Sequence, residues 1–241
     1  MRQLLLSVSD SFLALAYPQP CHACGSEVKE RRLGVGCSKC WLATELFSGA
    51  EPACPKCGAV TASVSNAFAC RNCEPHYYDI ARSLGVYEHA LSSSIVHLKR
   101  VPTIPKFLLT RIPAFLDAAG LTDCDLIVPV PISSTRLSER GFNQAEVIAN
   151  AVGQILDRTV DSISLSRTKH TPMHRAAMDK RAREATVQNA FRVVRPKLIA
   201  GQSILLVDDI FTSGATASNC SKALKKKGAA AVNIFTLARA M

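Results

Sequence analysis

The sequence predicts an α/β protein, a mostly parallel sheet flanked by helices, with a small metal-ribbon domain ahead of it. Three observations predict this. From residue 80 onward, apolar strand-like stretches alternate with helix-like ones, the pattern of repeated strand–helix–strand units. Before residue 80, eight of the chain's ten cysteines fall in four Cys-x-x-Cys pairs. The totals, 241 residues with 48% hydrophobic and 20% charged, suit one α/β domain plus a small appendage. We expect an amphipathic N-terminal helix over 1–17, a double ribbon over 18–79 and the sheet domain over 80–241.

The N-terminal stretch resembles a secretion signal in Leu4, Leu5 and Leu6 and in the small residues near Ala16. Ser7, Ser9, Asp10 and Ser11 interrupt its apolar run, so a helix packing on the body is expected instead. No apolar run approaches the roughly 20 residues that span a bilayer, and a cytoplasmic location is expected.

The cysteine pairs are Cys21/Cys24, Cys37/Cys40, Cys54/Cys57 and Cys70/Cys73, with twelve residues between the first two pairs and twelve between the last two. Two pairs at this spacing complete a tetrahedral four-thiolate zinc site. Gly25 and Gly58 follow a pair directly, where the knuckle turn benefits from glycine's freedom. The step from Cys21 to Cys54 reads as an internal repeat, two zinc ribbons in series. Disulfides fit poorly in a chain without a clear signal peptide. Spacing favours joining the first pair to the second and the third to the fourth, with cross-braced pairing left open. Four sulfurs close each site, so the zinc is expected to be structural, with His22 and His76 not needed as ligands. Cys124 and Cys220 read as buried small hydrophobes.

In the sheet domain, strands are expected at 81–87, 126–130, 162–166, 202–207 and 231–237. Helices are expected from 88 to about 99, over 106–119, over 143–156 and over 217–227. Pro129 and Pro131 mark where the second strand leaves the sheet, and Gly120 and Gly228 close helices.

The most informative stretch is Ile204-Leu-Leu-Val-Asp-Asp-Ile-Phe-Thr-Ser-Gly-Ala-Thr216. An apolar strand runs into two acids, which can hold sugar hydroxyls or a magnesium ion. A Thr-, Ser- and Gly-containing turn then opens a helix and can cradle a phosphate. Together they describe a ribose-5-phosphate site; a helix-capping role for the acids is the bland alternative. Ligands in such sheets bind outside the carboxyl ends of the strands. Two further polar segments are expected there: 131–144, with Arg136 and Arg140 suited to a pyrophosphate, and 166–174. In the latter, Arg167, Lys169 and Thr171 suit a mobile lid or plain surface charge, and His170 with His174 a substrate loop rather than a metal pair. The charge favours anions as well. Residues 1–80 balance at seven basic and seven acidic, so the whole net charge of +10 lies beyond them. A basic field of this kind speeds capture of nucleotides, pyrophosphate or DNA without choosing among them.

Val207-Asp-Asp-Ile-Phe-Thr-Ser-Gly-Ala-Thr216 resembles the 5-phosphoribosyl-1-pyrophosphate (PRPP) fingerprint of type I phosphoribosyltransferases. With Val128-Pro-Val-Pro131, Arg140-Gly-Phe-Asn-Gln144 and the cysteine pairs, residues 18–239 resemble the ComF (competence protein F) family in unbroken order. The resemblance implies a type I phosphoribosyltransferase-like sheet that binds PRPP with magnesium. Asp208 and Asp209 would contact the ribose hydroxyls, and Thr212, Ser213, Gly214, Ala215 and Thr216 the 5-phosphate. Asp209 is the expected catalytic group, near the reacting carbon. The partners implied are a nitrogenous base as acceptor, single-stranded DNA, and DNA-uptake components at the inner face of the membrane. The chain departs from the family pattern at His174, at Lys99-Arg100-Val101-Pro102 and in Thr186-Val-Gln-Asn-Ala-Phe191. These departures bear on the acceptor and on turnover, and leave PRPP binding untouched. A PRPP-sensing or DNA-binding protein on the same fold is the alternative.

Overall fold

A computed structural model describes residues 17–60, 69–168 and 190–240. The N-terminal helix, Lys169, His170, Thr171, His174 and the 186–189 part of the altered element lie outside the described residues. In chain order the elements are helix α1 (Ser38–Ala43), strand β1 (Ala81–Val86), helices α2 (His89–Leu98), α3 (Lys106–Leu109) and α4 (Ile112–Ala118), and strand β2 (Leu126–Pro129). Helices α5 (Ser134–Arg140) and α6 (Gln144–Leu156) and strands β3 (Thr159–Val160), β4 (Leu165–Arg167) and β5 (Phe191–Val193) follow. Strand β6 (Ser203–Phe211), helix α7 (Ala215–Lys225) and strand β7 (Ala231–Arg239) complete the chain.

Five strands form the expected parallel sheet, in the order β1-β7-β6-β2-β3. Its centre is apolar on both faces because helices cover both, so β6 is buried continuously from Ile204 to Val207. Leu205 and Val207 pack with Ile127, Phe235 and helices α2, α4 and α6, while Ile204 and Leu206 pack with Val128, Ile234 and α7. The chain leaves β2 through α6 on one face and β6 through α7 on the other. Between β2 and β6 the order of connection therefore reverses, the place where open sheets leave a crevice at their carboxyl edge.

The ribbons pack into this core. Cys21, Val28, Leu33, Cys37, Cys40 and Trp41 join the first face, and Cys54, Cys57, Cys73 and Tyr78 join the second. No helix among the described residues is long and apolar enough to cross a membrane.

Four expectations change. The strand expected at 202–207 runs on through Asp208 and Asp209 to Phe211, because β7 continues to pair with it as far as Arg239. The strand expected at 162–166 is instead β4, in an antiparallel pair with β5 outside the main sheet; the short β3 takes the sheet edge. The helix expected over 106–119 is two helices, broken at Thr110 and Arg111 ahead of Pro113. Helix α7 begins at Ala215, two residues earlier than expected, after Gly214 takes the left-handed conformation.

Candidate functional site

The two cysteine clusters settle the pairing. Cys21, Cys24, Cys37 and Cys40 form one and Cys54, Cys57, Cys70 and Cys73 the other, with all sulfurs of a cluster within 4.8 Å of one another. Sulfur–sulfur distances of 3.7 Å (Cys24–Cys37), 3.6 Å (Cys54–Cys73) and 3.7 Å (Cys57–Cys70) match the edge of a zinc tetrahedron, about 3.8 Å for zinc–sulfur bonds near 2.3 Å. The repeat is structural as well. Cys37 N–H donates to Cys21 Sγ as Cys70 N–H does to Cys54 Sγ. Pro20 bridges Glu27 as Ala53 bridges Val60.

The thiols cannot all ionise together without a cation. In the first cluster, hydrogen bonds from the Ser26 side chain and backbone pull Cys24 down to about 6, while burial pushes Cys40 up. In the second, burial works against ionisation of Cys54, but N–H groups of Cys57, Cys70 and Lys56 outweigh it and bring it to about 6. Burial drives Cys73 up. Such a donor set fits a structural zinc ion, all four positions being filled by sulfur.

At the carboxyl edge, β2 stops pairing with β6 at Pro129 opposite Val207. Val130 N–H still reaches Val207 O at 2.8 Å; beyond it, among the described residues, β6 pairs with β7 alone. The two acids stand there. Asp208 accepts from Asp209 N–H at 2.9 Å. Part of its surface is exposed, yet protein surrounds its carboxyl closely enough that desolvation, and then the Asp209 carboxylate, hold it well above the usual carboxylate range. Arg167 acts in the opposite direction. Burial and then the Arg136 charge lower the Arg167 guanidinium, with Cys220 and Asp208 opposing.

So the charges of Arg167 on β4, Arg136 after β2 and Asp208 near the end of β6 act on one another, with Arg167 partly buried. Its guanidinium also lies over the Phe191 ring, 5.3 Å from the centroid.

The segment 131–144 divides into two parts. Ser133 caps α5, accepting from Arg136 N–H, and places Arg136 in the first turn of α5, where its charge reaches Arg167. Arg140-Gly-Phe-Asn-Gln144 is a corner: Gly141 ends α5 at φ +78°. Asn143 donates to Val130 O at 3.0 Å and accepts from Ala145 N–H at 3.1 Å. Arg140 donates to Gln144 Oε1 at 2.8 Å, which holds the guanidinium back toward α6. Gln144 is 3% exposed and its Nε2 finds no hydrogen-bond partner. Thr212, Ser213 and Gly214 form the turn, Ala215 and Thr216 begin α7, and Ser213 Oγ accepts from Ala215 N–H. The first amides of α7 have no partners within the helix and open at the same edge.

Sequence reasoning missed two groups. Tyr87 follows β1, and its hydroxyl is pushed up by burial and then by Asp209. His76 packs on Gly214, where an added Cβ would stand 2.8 Å from its Cε1 and 2.9 Å from its Nδ1. No spacing signal marks either, since both contacts depend on tertiary packing.

Comparisons with known proteins agree with this arrangement. Residues 12–74 match the double zinc ribbon domain family. The DNA utilization protein YhgH of Escherichia coli (strain K12) is 29% identical over 94% of this chain and 100% of its own length. Competence protein F of Haemophilus influenzae is 29% identical over 85% of this chain and 90% of its own. Competence protein ComFC of Bacillus subtilis is 33% identical over 47% and 44%. Over most of its length the chain is therefore similar to proteins named for DNA utilization and competence. The double zinc ribbon and the mostly parallel sheet that follows it both fall within the span these relatives share with the chain. Among solved structures, a glutamine PRPP amidotransferase from B. subtilis aligns with 48% of this chain and 23% of its own at 19% identity, with a TM-score of 0.32; a likeness that loose supports no argument.

Proposed function

We propose that the crevice between β2 and β6 binds PRPP with magnesium and transfers its phosphoribosyl group to a nitrogen acceptor. One observation carries this reading: Asp208 and Asp209 lie on β6 past the point where β2 stops pairing with it, the Arg167 charge acts on Asp208, and the turn into α7 follows within a few residues. The acids suit the ribose hydroxyls, the Thr212–Thr216 backbone the 5-phosphate, and Arg136 and Arg140 the pyrophosphate. Magnesium would enter with the pyrophosphate and neutralise its charge. The C1–O bond to pyrophosphate breaks, a C1–N bond forms and pyrophosphate leaves. Asp209 stabilises the positive charge that develops at C1 or accepts the acceptor's proton. Such catalysis is positioning and electrostatics. Cationic ligands would favour the ionised form of Asp208 against the desolvation and the Asp209 charge that oppose it.

The test is pyrophosphate release from PRPP and magnesium with a panel of bases. Release that vanishes in an Asp208→Ala/Asp209→Ala double variant is expected. Binding of PRPP without release for any base would leave a sensor on the same fold.

The same protein is proposed to act in DNA uptake, with cytoplasmic partners at the membrane's inner face; its relatives are named for DNA utilization and competence. Its charge of +10 suits a phosphate backbone. A mobility shift of labelled single strands that weakens with salt is expected; unchanged mobility at low salt would count against it.

A further inference from the structure

We propose that the second cysteine cluster and the Thr212–Thr216 turn form one coupled unit, with His76 as the positioning residue between them. Phosphate in the turn then slows loss of metal from Cys54, Cys57, Cys70 and Cys73, and loss of that metal weakens phosphate binding. The phosphate half of the proposal rests on the reading of 212–216 as a phosphate turn; the mechanical half does not.

The segment after Cys73 is pinned from both sides. From the ribbon, Lys56 Nζ donates to His76 O at 2.7 Å and to Glu74 O at 3.1 Å. From the sheet domain, Ser218 Oγ in the first turn of α7 accepts from Tyr77 N–H at 3.2 Å, and Lys222 lies over the Tyr77 ring at 4.9 Å. His76 Nδ1 shares a 2.9 Å hydrogen bond with Tyr78 Oη, and the buried Tyr78 ring meets Phe211 edge-on at 5.9 Å. Phe211 is the last residue of β6, and Gly214 lies three residues beyond it. The imidazole edge fills the space beside Gly214, which holds φ +76°. The turn therefore cannot shift toward the ribbon unless His76 moves, and His76 cannot move without disturbing the segment that Cys70 and Cys73 anchor.

The cluster is tied to the sheet by charge as well. Arg239, 7% exposed, donates to Cys57 O at 3.1 Å and lies over Phe211. Arg82 donates to Pro55 O, between Cys54 and Cys57 in sequence, at 3.0 Å. Two guanidiniums thus face a metal–thiolate group that carries net negative charge. The first ribbon is tied elsewhere: Trp41 packs on Phe107, and Thr44 Oγ accepts from Ala90 N–H at the start of α2. Those contacts lead from the first ribbon to α2 and α3. The two clusters are alike in sequence and unlike in what they support. Because linkage is reciprocal, whatever steadies the turn must also steady the cluster it leans on.

The test uses the full zinc-loaded chain. Release of zinc to a chelating dye is timed, and alkylation of cysteines, mapped by mass spectrometry, assigns each phase to a cluster. Without ligand, Gly214→Ala forces a Cβ against His76; we expect release from the second cluster to speed up about tenfold, within the usual range of coupling between sites, with the first cluster unchanged. His76→Ala should act in the same direction, and His76→Phe, which keeps a ring against Gly214, should restore most of the slow release. With ribose 5-phosphate added to the unaltered chain, release from the second cluster alone should slow by a similar factor, and His76→Ala should abolish the effect. Equal rates in Gly214→Ala and the unaltered chain, or equal acceleration of both clusters, would overturn the coupling. Titration calorimetry on the same samples separates the two failures. If ribose 5-phosphate does not bind, the phosphate reading falls and the linkage to phosphate with it, while the Gly214→Ala arm still decides the mechanical contact.

Discussion

Asp208 is a carboxyl that the fold keeps protonated more readily than water would, through desolvation first and Asp209 second. Its folded pKa lies above the unfolded value, so the stability linked to it is fully present below that unfolded value, about pH 3.9. That stability is lost as pH rises through the folded pKa. Asp208→Asn should therefore melt above the unaltered protein at pH 8 and converge with it near pH 4. Relief of one like-charge contact, about 1 kcal/mol, corresponds to about 2–4 °C in a chain of this size. A variant that is less stable at pH 8 would show that Asp208 is ionised and satisfied without ligand. Asn143 makes the opposite kind of contribution, because its side chain both caps α6 and ties it to Val130. Asn143→Ala should cost about 1–2 kcal/mol in denaturant unfolding. At this scale the sequence showed the acids and the turn clearly, since their chemistry is local. Arg167 read as a lid residue or plain surface charge, because its partial burial over Phe191 and its charge coupling to Arg136 and Asp208 depend on tertiary packing.

Strand β6 carries the site and the core together. Leu206, fully buried between β2 and β7, should cost about 2–5 kcal/mol as Leu206→Ala, with the loss shared between core and cavity terms. Denaturant midpoints measure it. Elements of this kind were legible from their apolar runs, and the parallel sheet from their alternation with helices. The ends were not. Continued pairing with β7 carries β6 four residues past its apolar run, although Asp208 and Asp209 have low strand propensity. A strand was expected at 162–166, overlapping β4, but its partner lies beyond a long intervening segment, so nothing local told its antiparallel pairing from a place in the sheet. The cysteine spacing was the clearest signal of all, since tetrahedral ligation fixes it. Only the three-dimensional clusters chose sequential pairing over cross-bracing.

Across the whole molecule, each ribbon lends its cysteines to one face of the sheet's core. Metal and sheet should therefore unfold together. Prolonged chelation is expected to lower the melting temperature of the parallel sheet itself, followed by far-ultraviolet circular dichroism, and not merely to loosen a peripheral ribbon. An unchanged sheet transition after both zinc ions are removed would show the ribbons to be accessories. That integration was not readable from the sequence, where the ribbons look like a separate balanced-charge unit ahead of a basic one. The central claim concerns the crevice between β2 and β6. Titration calorimetry of the zinc-loaded chain with PRPP and magnesium tests it most directly, alongside the Asp208→Ala/Asp209→Ala variant. The site predicts saturable one-to-one binding that the variant loses while keeping its fold. No heat of binding in the unaltered chain, or equal binding by the variant, would contradict it.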